Sequence, residues 1–300
     1  MLWIPLAIGS YFLSALASVI DKILLRGRVT NPLAFAFYTG IASIGVLILI
    51  PFGFSFLSFT TTLFAFLAGG VFLASLLFLY TALRYGEASR VVPLIGALTP
   101  LVTLGISYFT DRMPPPRAEL LAIFFFVVGG LLISFDMGRR GKSRFNGFIL
   151  FVALLSAIAM GSMFELSKVV YSRAPFFPGF IWMRMGSFLA SLLMLFVPAF
   201  RASIFSSVRT LRVSSGGILL FNKVLGAIAF LVLNYAVSLG NESVVSAMRG
   251  FEFLFVFAVV YLLSRRLPYI LKESFDAHVL LYKITGIVLI GVGFYSLLYS

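Results

Sequence analysis

Apolar runs of about twenty residues, the length a helix needs to cross a hydrocarbon layer at roughly 1.5 Å per residue, recur from one end of the chain to the other. None of them alternates apolar with polar residues as a strand of a membrane barrel does. Backbone N–H and C=O groups find no water in lipid, so the helix is the only element these runs can form there. Hydrophobic residues fill 61% of the chain and charged residues 11%, which leaves too little polar surface to cover a water-soluble globule. An all-α, multi-pass integral membrane protein follows.

Helices are expected over about 2–20, 33–50, 61–83, 91–109 and 119–135, and again over about 145–167, 179–197, 216–239, 243–263 and 279–298. Pro114, Pro115 and Pro116 forbid helix before the fifth run. Small extra segments fall near 203–214 and 271–278. No basic residue precedes the first run, so a cleaved secretory signal is not expected there.

The two sets of five are copies. Ala82, Gly86, Ser89, Val91, Gly96 and Pro114 fall in register with Ala236, Gly240, Ser243, Val245, Gly250 and Pro268, and Lys22 and Pro32 are spaced as Lys168 and Pro178. Two repeats are expected, 1–144 and 145–300. An odd number of spans in each forces them into the membrane upside down relative to one another. Ten transmembrane helices in two inverted five-helix repeats is the expected fold, and that arrangement is characteristic of transporters.

Cysteine is absent and His278 is the one histidine, which excludes disulfides, thiol nucleophiles and His/Cys metal sites. No Ser/His or paired-aspartate constellation lies in the helices, so neither an enzyme nor a cofactor is expected. The net charge of +13 has no soluble face to sit on, which argues against a nucleic-acid partner. It reads instead as an orientation signal. In alternate loops, Arg26, Arg28, Arg84, Arg90, Arg139, Arg140, Lys142, Arg144, Arg201, Arg209, Arg212, Arg265, Arg266 and Lys272 collect on one side, against mainly Arg112, Arg117, Lys168 and Arg173 on the other. The rich side is cytoplasmic by the positive-inside rule, so both termini are expected outside.

Gly161 with Lys168, Arg184, the run Tyr80-Thr81-Ala82-Leu83-Arg84-Tyr85, Ala88-Ser89, Pro93, Pro100 and the corner Asp111-Arg112-Met113-Pro114 resemble the EamA family of the drug/metabolite transporter superfamily over nearly the whole chain. The resemblance implies a central cavity between the halves and movement of small organic metabolites such as amino acids across the cell membrane, often outward. Asp111 and Ser264 stand where the family usually has glutamate, and Leu254 replaces a proline of the second copy. Family members also place both termini in the cytoplasm, opposite to the charge count.

An ionisable side chain at membrane depth costs several kcal/mol unless paired or hydrated, so each is a candidate site residue. Arg249 and Glu252 stand three apart inside the ninth helix, either a structural pair or part of a substrate path. Glu242, Ser246 and Arg249 share a stripe. Lys223, Ala227, Phe230 and Asn234 share a face of the eighth helix, where Lys223 is expected to snorkel and Asn234 to line a cavity. Glu165 and Lys168 repeat the acid-base spacing near the end of the sixth helix, and Arg184 opens the seventh without a local partner. Among the aromatics, Tyr80, Tyr38 and Trp182 are placed for a cavity, whereas Trp3, Tyr295 and Tyr299 read as interfacial anchors. Gly69, Gly70, Gly129, Gly130, Gly226, Gly286, Gly291 and Gly293 are expected to let helices approach closely.

The reading is a secondary transporter of small organic solutes using alternating access, with Arg249, Glu252, Asn234, Tyr80, Arg184, Glu165 and Lys168 as substrate-binding candidates and a proton as a candidate coupling ion. A lipid-handling flippase or scaffold, or an intramembrane enzyme, is the alternative. The oligomeric state is not legible.

Overall fold

A computed structural model describes residues 2–25, 31–85, 88–111, 116–134, 147–208, 216–264 and 277–298. Gly86, Pro268, the corner from Arg112 to Pro114, the basic loop 139–144, Tyr299 and most of 271–278 lie outside these residues, as do the side chains of Asp21 and Lys22. The described residues are helical apart from short connections. In chain order they form α1 (Trp3–Leu25), α2 (Pro32–Ala42), α3 (Phe59–Tyr85), α4 (Ala88–Asp111), α5 (Arg117–Ser134), α6 (Gly147–Arg173), α7 (Phe176–Leu193), α8 (Pro198–Val208), α9 (Gly216–Leu239), α10 (Glu242–Ala247), α11 (Gly250–Ser264) and α12 (Ala277–Leu298). Among the described residues, six segments are long and apolar enough to span a membrane: Trp3–Ile20, Pro32–Phe52, Phe59–Tyr85, Gly147–Arg173, Phe176–Phe196 and Leu220–Leu239. Two shorter apolar helices are Leu94–Phe109 and Ile284–Ser296.

Local chemistry explains the ends. Asn31 caps α2 by accepting from Leu33 N at 3.0 Å, and Pro32 sits at the first helical position, where its missing N–H costs nothing. The Asn31 amide also donates to Ser203 O of α8 at 3.2 Å, tying down that extra segment. Asn241 caps α10 through Ser243 N and Val244 N while its amide donates to Glu119 Oε2 of α5 at 2.9 Å.

Three boundaries differ from the sequence reading in ways that matter. First, α6 runs on to Arg173, so Glu165 and Lys168 are inside a helix rather than near its end. Second, α7 begins at Phe176, which places Arg184 two turns inside. Third, the expected ninth helix is broken: α10 stops at Ala247, Met248 and Arg249 form a turn, and α11 restarts at Gly250. The cause is visible in the ladder. Tyr11 Oη donates to Val245 O at 2.7 Å, taking the carbonyl that Arg249 N would bond in a regular helix, and Arg249 N turns to Ser246 O at 3.3 Å.

Packing repeats the internal register in part, since among the described residues the α3–α7 contact has no α9–α2 counterpart of similar extent. The main helix contacts are α1 on α9 and α11, α6 on α3 and α4, α3 on α7, and α5 on α12. Ser10 Oγ of α1 donates to Ala229 O of α9 at 3.0 Å, and Ser156 Oγ of α6 donates to Ser75 O of α3 at 2.9 Å. Ser10 and Ser156 match in the register set by Lys22 and Lys168, and Ser75 and Ala229 match in that of Ala82 and Ala236. One hydrogen bond is thus built twice. Ala82 and Ala236, each 0% exposed, are buried alike.

The glycines divide. A Cβ at Gly69 would meet α7 backbone at 2.1 Å, at Gly129 the backbone of α12 at 2.7 Å, and at Gly293 the backbone of α5 at 3.1 Å. Gly226 and Gly291 would meet nothing within 4 Å, and Gly70 only Ala190 at 3.8 Å, so these three do not mark close crossings. Trp3, expected at the interface, instead lies against Gly240, where a Cβ would come within 2.6 Å of its ring.

Candidate functional site

A small, half-open cavity lies where α3, α6, α7 and α9 meet; its enclosed part has room for about one water, and the empty space together with its open side comes to about 210 Å³. Its polar lining is Arg184 and Ser187 from α7, Ser167 from α6 and Asn234 from α9. Phe72, Met163, Met183 and Phe230 make much of the rest apolar.

Arg184 is held from two directions. Its Nη2 donates to Ser43 Oγ, and its Cζ lies 4.8 Å from the Phe72 ring centre and 4.9 Å from that of Phe230. Those two rings are themselves 4.7 Å apart, so they present a joint aromatic surface to one side of the guanidinium rather than a sandwich. The ring quadrupoles favour the cation, by about 2 kcal/mol where water is excluded. No carboxylate lies within ion-pair distance of Arg184 among the described residues. A guanidinium carries five N–H donors, so donors remain beyond the one spent on Ser43.

Asn234 is 2% exposed. Its Oδ1 accepts from Tyr171 Oη at 3.0 Å and its Nδ2 donates to Phe230 O at 2.9 Å, which leaves its second N–H without a protein partner among the described residues. Arg184 and Asn234, each with N–H donors to spare, thus line one cavity. The arrangement can hold an anion.

Arg249 and Glu252 form a separate cluster. Arg249 Nε lies 3.6 Å from Glu252 Oε2, with side-chain exposures of 20% and 15%, and Ser18 Oγ of α1 donates to Glu252 Oε1 at 3.1 Å. The break in the span sits directly before this pair. Glu242 and Ser246 of the expected stripe are buried in α10, and the turn separates them from Arg249.

The remaining candidates go elsewhere. Lys168 Nζ points to the C-terminal end of α9, donating to Val237 O at 3.3 Å and to Gly240 O, where a cation suits the helix dipole. Glu165 is buried on α6, 7% exposed, two residues from both Met163 and Ser167 and so turned away from the cavity face. Tyr80 packs edge-on against Phe35 at 4.6 Å, and Lys223 Nζ stands 4.4 Å above the same ring. Trp182 belongs to an aromatic cluster with Phe54, Phe56 and Phe66 and donates to Ser55 O at 3.1 Å. Tyr38 is exposed. Of the seven candidates, the cavity brings together Arg184 and Asn234.

Tyr171, Ser43 and Phe72 were not singled out from sequence. The signal available was Arg184 itself: a part-buried guanidinium needs an acceptor and a polarisable wall, but nothing in a linear sequence says which serine or phenylalanine supplies them.

No family model and no curated protein matches the chain. It does superpose on a solved crystal structure of another protein with a TM-score of 0.66 at 18% identity, over 97% of this chain and 93% of that one. At that identity the likeness establishes a shared fold over the whole length.

Proposed function

We propose that the protein is a secondary transporter of small organic solutes in the cell membrane, related to the EamA family, in which two inverted five-helix halves alternate access to a central site. In this reading the ten spans are α1, α2 with its extension to Phe52, α3, α4 and α5, then α6, α7, α9, α10 with α11, and α12. Exchanging the halves turns the α1–α9 contact into α6–α3 and the α1–α11 contact into α6–α4, and returns α5–α12 to itself, which supports the duplication. The paired hydrogen bonds of Ser10 and Ser156 support it at atomic scale.

One observation carries the functional reading: a part-buried cation lining a cavity, without a counter-charge among the described residues. A charge at membrane depth is costly, and a neutral side chain would hold the helices together at lower cost. Arg184 is therefore kept for a partner that comes and goes. The broken span of α10 and α11 is a second feature that transporters place near their sites.

Counterflow in proteoliposomes tests the proposal. A panel of unlabelled metabolites inside should accelerate entry of at least one labelled member beyond protein-free vesicles, and Arg184→Met should abolish the acceleration. Absence of exchange for every solute, or full exchange by Arg184→Met, would overturn it.

A further inference from the structure

This inference rests on the transport reading of the Arg184 cavity and names its substrate class. We infer that the site takes a small monoanionic carboxylate with an apolar body and no ammonium group.

Charge is the first constraint. Arg184 brings one positive charge, and among the described residues the other cations near the bundle interior are engaged: Arg249 pairs with Glu252, Lys168 serves the α9 carbonyls, and Lys223 lies over Phe35. One guanidinium balances a carboxylate. A phosphate ester, with nearly two negative charges at neutral pH, would bring one of them into the interior uncompensated.

Geometry is the second. The planar fork of a guanidinium matches the two oxygens of a carboxylate, and the spare N–H of Asn234 adds a donor from the neighbouring helix. Both residues line the same cavity.

The third constraint excludes amino acids. An α-ammonium needs a carboxylate or several carbonyls, yet no acidic residue lines the cavity among the described residues. Glu252 is tied to Arg249 and Ser18, and Glu165 is on another face of α6. The atoms facing the body of the solute belong mainly to Phe72, Phe230, Met163 and Met183. Such a wall welcomes a hydrocarbon, and the ring faces of Phe72 and Phe230 that would attract an ammonium are already taken by the Arg184 guanidinium.

The test uses the purified full chain in detergent and four probes: 3-methylbutanoate, valine, 3-methylbutanamide and inorganic phosphate. The first three share a branched carbon frame and differ in the charged groups. Titration calorimetry and melting-temperature shifts should show 3-methylbutanoate binding at least about tenfold more tightly than the other three. Arg184→Gln should lose that preference. Should Arg184→Gln fail to fold, Ser43→Ala provides the second arm: it removes the acceptor that orients the guanidinium, so carboxylate binding should weaken severalfold while amide binding stays unchanged. Valine, phosphate or the amide binding as tightly as 3-methylbutanoate would overturn the inference. Valine exchanged in counterflow would then leave the transport reading standing, whereas no exchange of any probe or metabolite would remove both.

Discussion

Gly69→Ala tests how the interior around the cavity is built. The added Cβ would stand 2.1 Å from Met183 O and 2.5 Å from Ser187 N, both backbone atoms of α7, so no side-chain rotation relieves the overlap. Since ordinary contact begins near 3.4 Å, α3 and α7 must separate by more than an ångström. That separation also stretches the 2.9 Å bond from Ser187 Oγ to Gly69 O. Overpacking a close crossing costs about 1–3 kcal/mol and a buried hydrogen bond adds about 1, so a loss of roughly 2–4 kcal/mol is expected. Gly226→Ala is the matched control: its Cβ meets nothing within 4 Å, and the change gains up to about 1 kcal/mol of helix propensity. Both variants would be unfolded by SDS titration in mixed micelles and followed by helical circular dichroism. The two substitutions are chemically identical, so the difference between them reports place alone. Equal midpoints for Gly69→Ala and Gly226→Ala would refute the close crossing.

Two further predictions concern orientation and the second charged cluster. A reporter that fluoresces only in the cytoplasm, fused after Ser300, should stay dark because the charge count puts both termini outside; a bright fusion would restore the orientation usual in the EamA family. For Arg249 and Glu252, whose side chains are 20% and 15% exposed, Arg249→Met and Glu252→Gln should each destabilise by less than the roughly 3–5 kcal/mol of a fully buried pair, and the double variant should recover much of the loss. Melting temperatures and proteoliposome uptake of all three decide it: full uptake by a stable double variant makes the pair architecture, and an inactive stable one makes it part of the path.

Class and internal register were legible because both are carried by periodic features that local chemistry enforces. The apolar runs became helices close to where they were expected, and the match of Ala82 with Ala236 became two equally buried positions. Partner choice was not legible. Glu165 and Lys168 read as an acid-base pair from their spacing, yet Lys168 donates to two carbonyls at the end of α9, because a helix end offers unsatisfied oxygens that no sequence window displays. Arg184 could be recognised as anomalous, but its setting comes from Ser43, Phe72 and Phe230, on three other elements.

Two departures from regular helix coincide with a diverting hydroxyl, and the repeat provides a comparison for each. In α2 the hydroxyl of Ser43 donates to Thr39 O at 3.1 Å, the carbonyl its own N–H would bond in an α-helix, and that N–H turns to Gly40 O. The chain continues as 3₁₀-helix over Ser43–Phe52. At the matching place of the second copy stands Leu189, which has no hydroxyl, and α7 runs on as helix to Leu193. In α10 the diverting hydroxyl comes from Tyr11, and it opens the turn at Met248 and Arg249. The matching residue is Ala157, buried beside Val91, the counterpart of Val245, and α4 is unbroken from Ala88 to Asp111. A hydroxyl stands at each of these two irregularities, but the same bond to the i−4 carbonyl from Thr81, Thr99, Thr103 and Ser167 leaves α3, α4 and α6 unbroken, so the hydroxyl acts together with its surroundings. Each break also stands beside an arginine: Ser43 Oγ accepts from Arg184, and the turn at Met248 leads into the Arg249–Glu252 pair. The copies thus differ by one serine and one tyrosine at two places where a span is irregular and an arginine stands beside it.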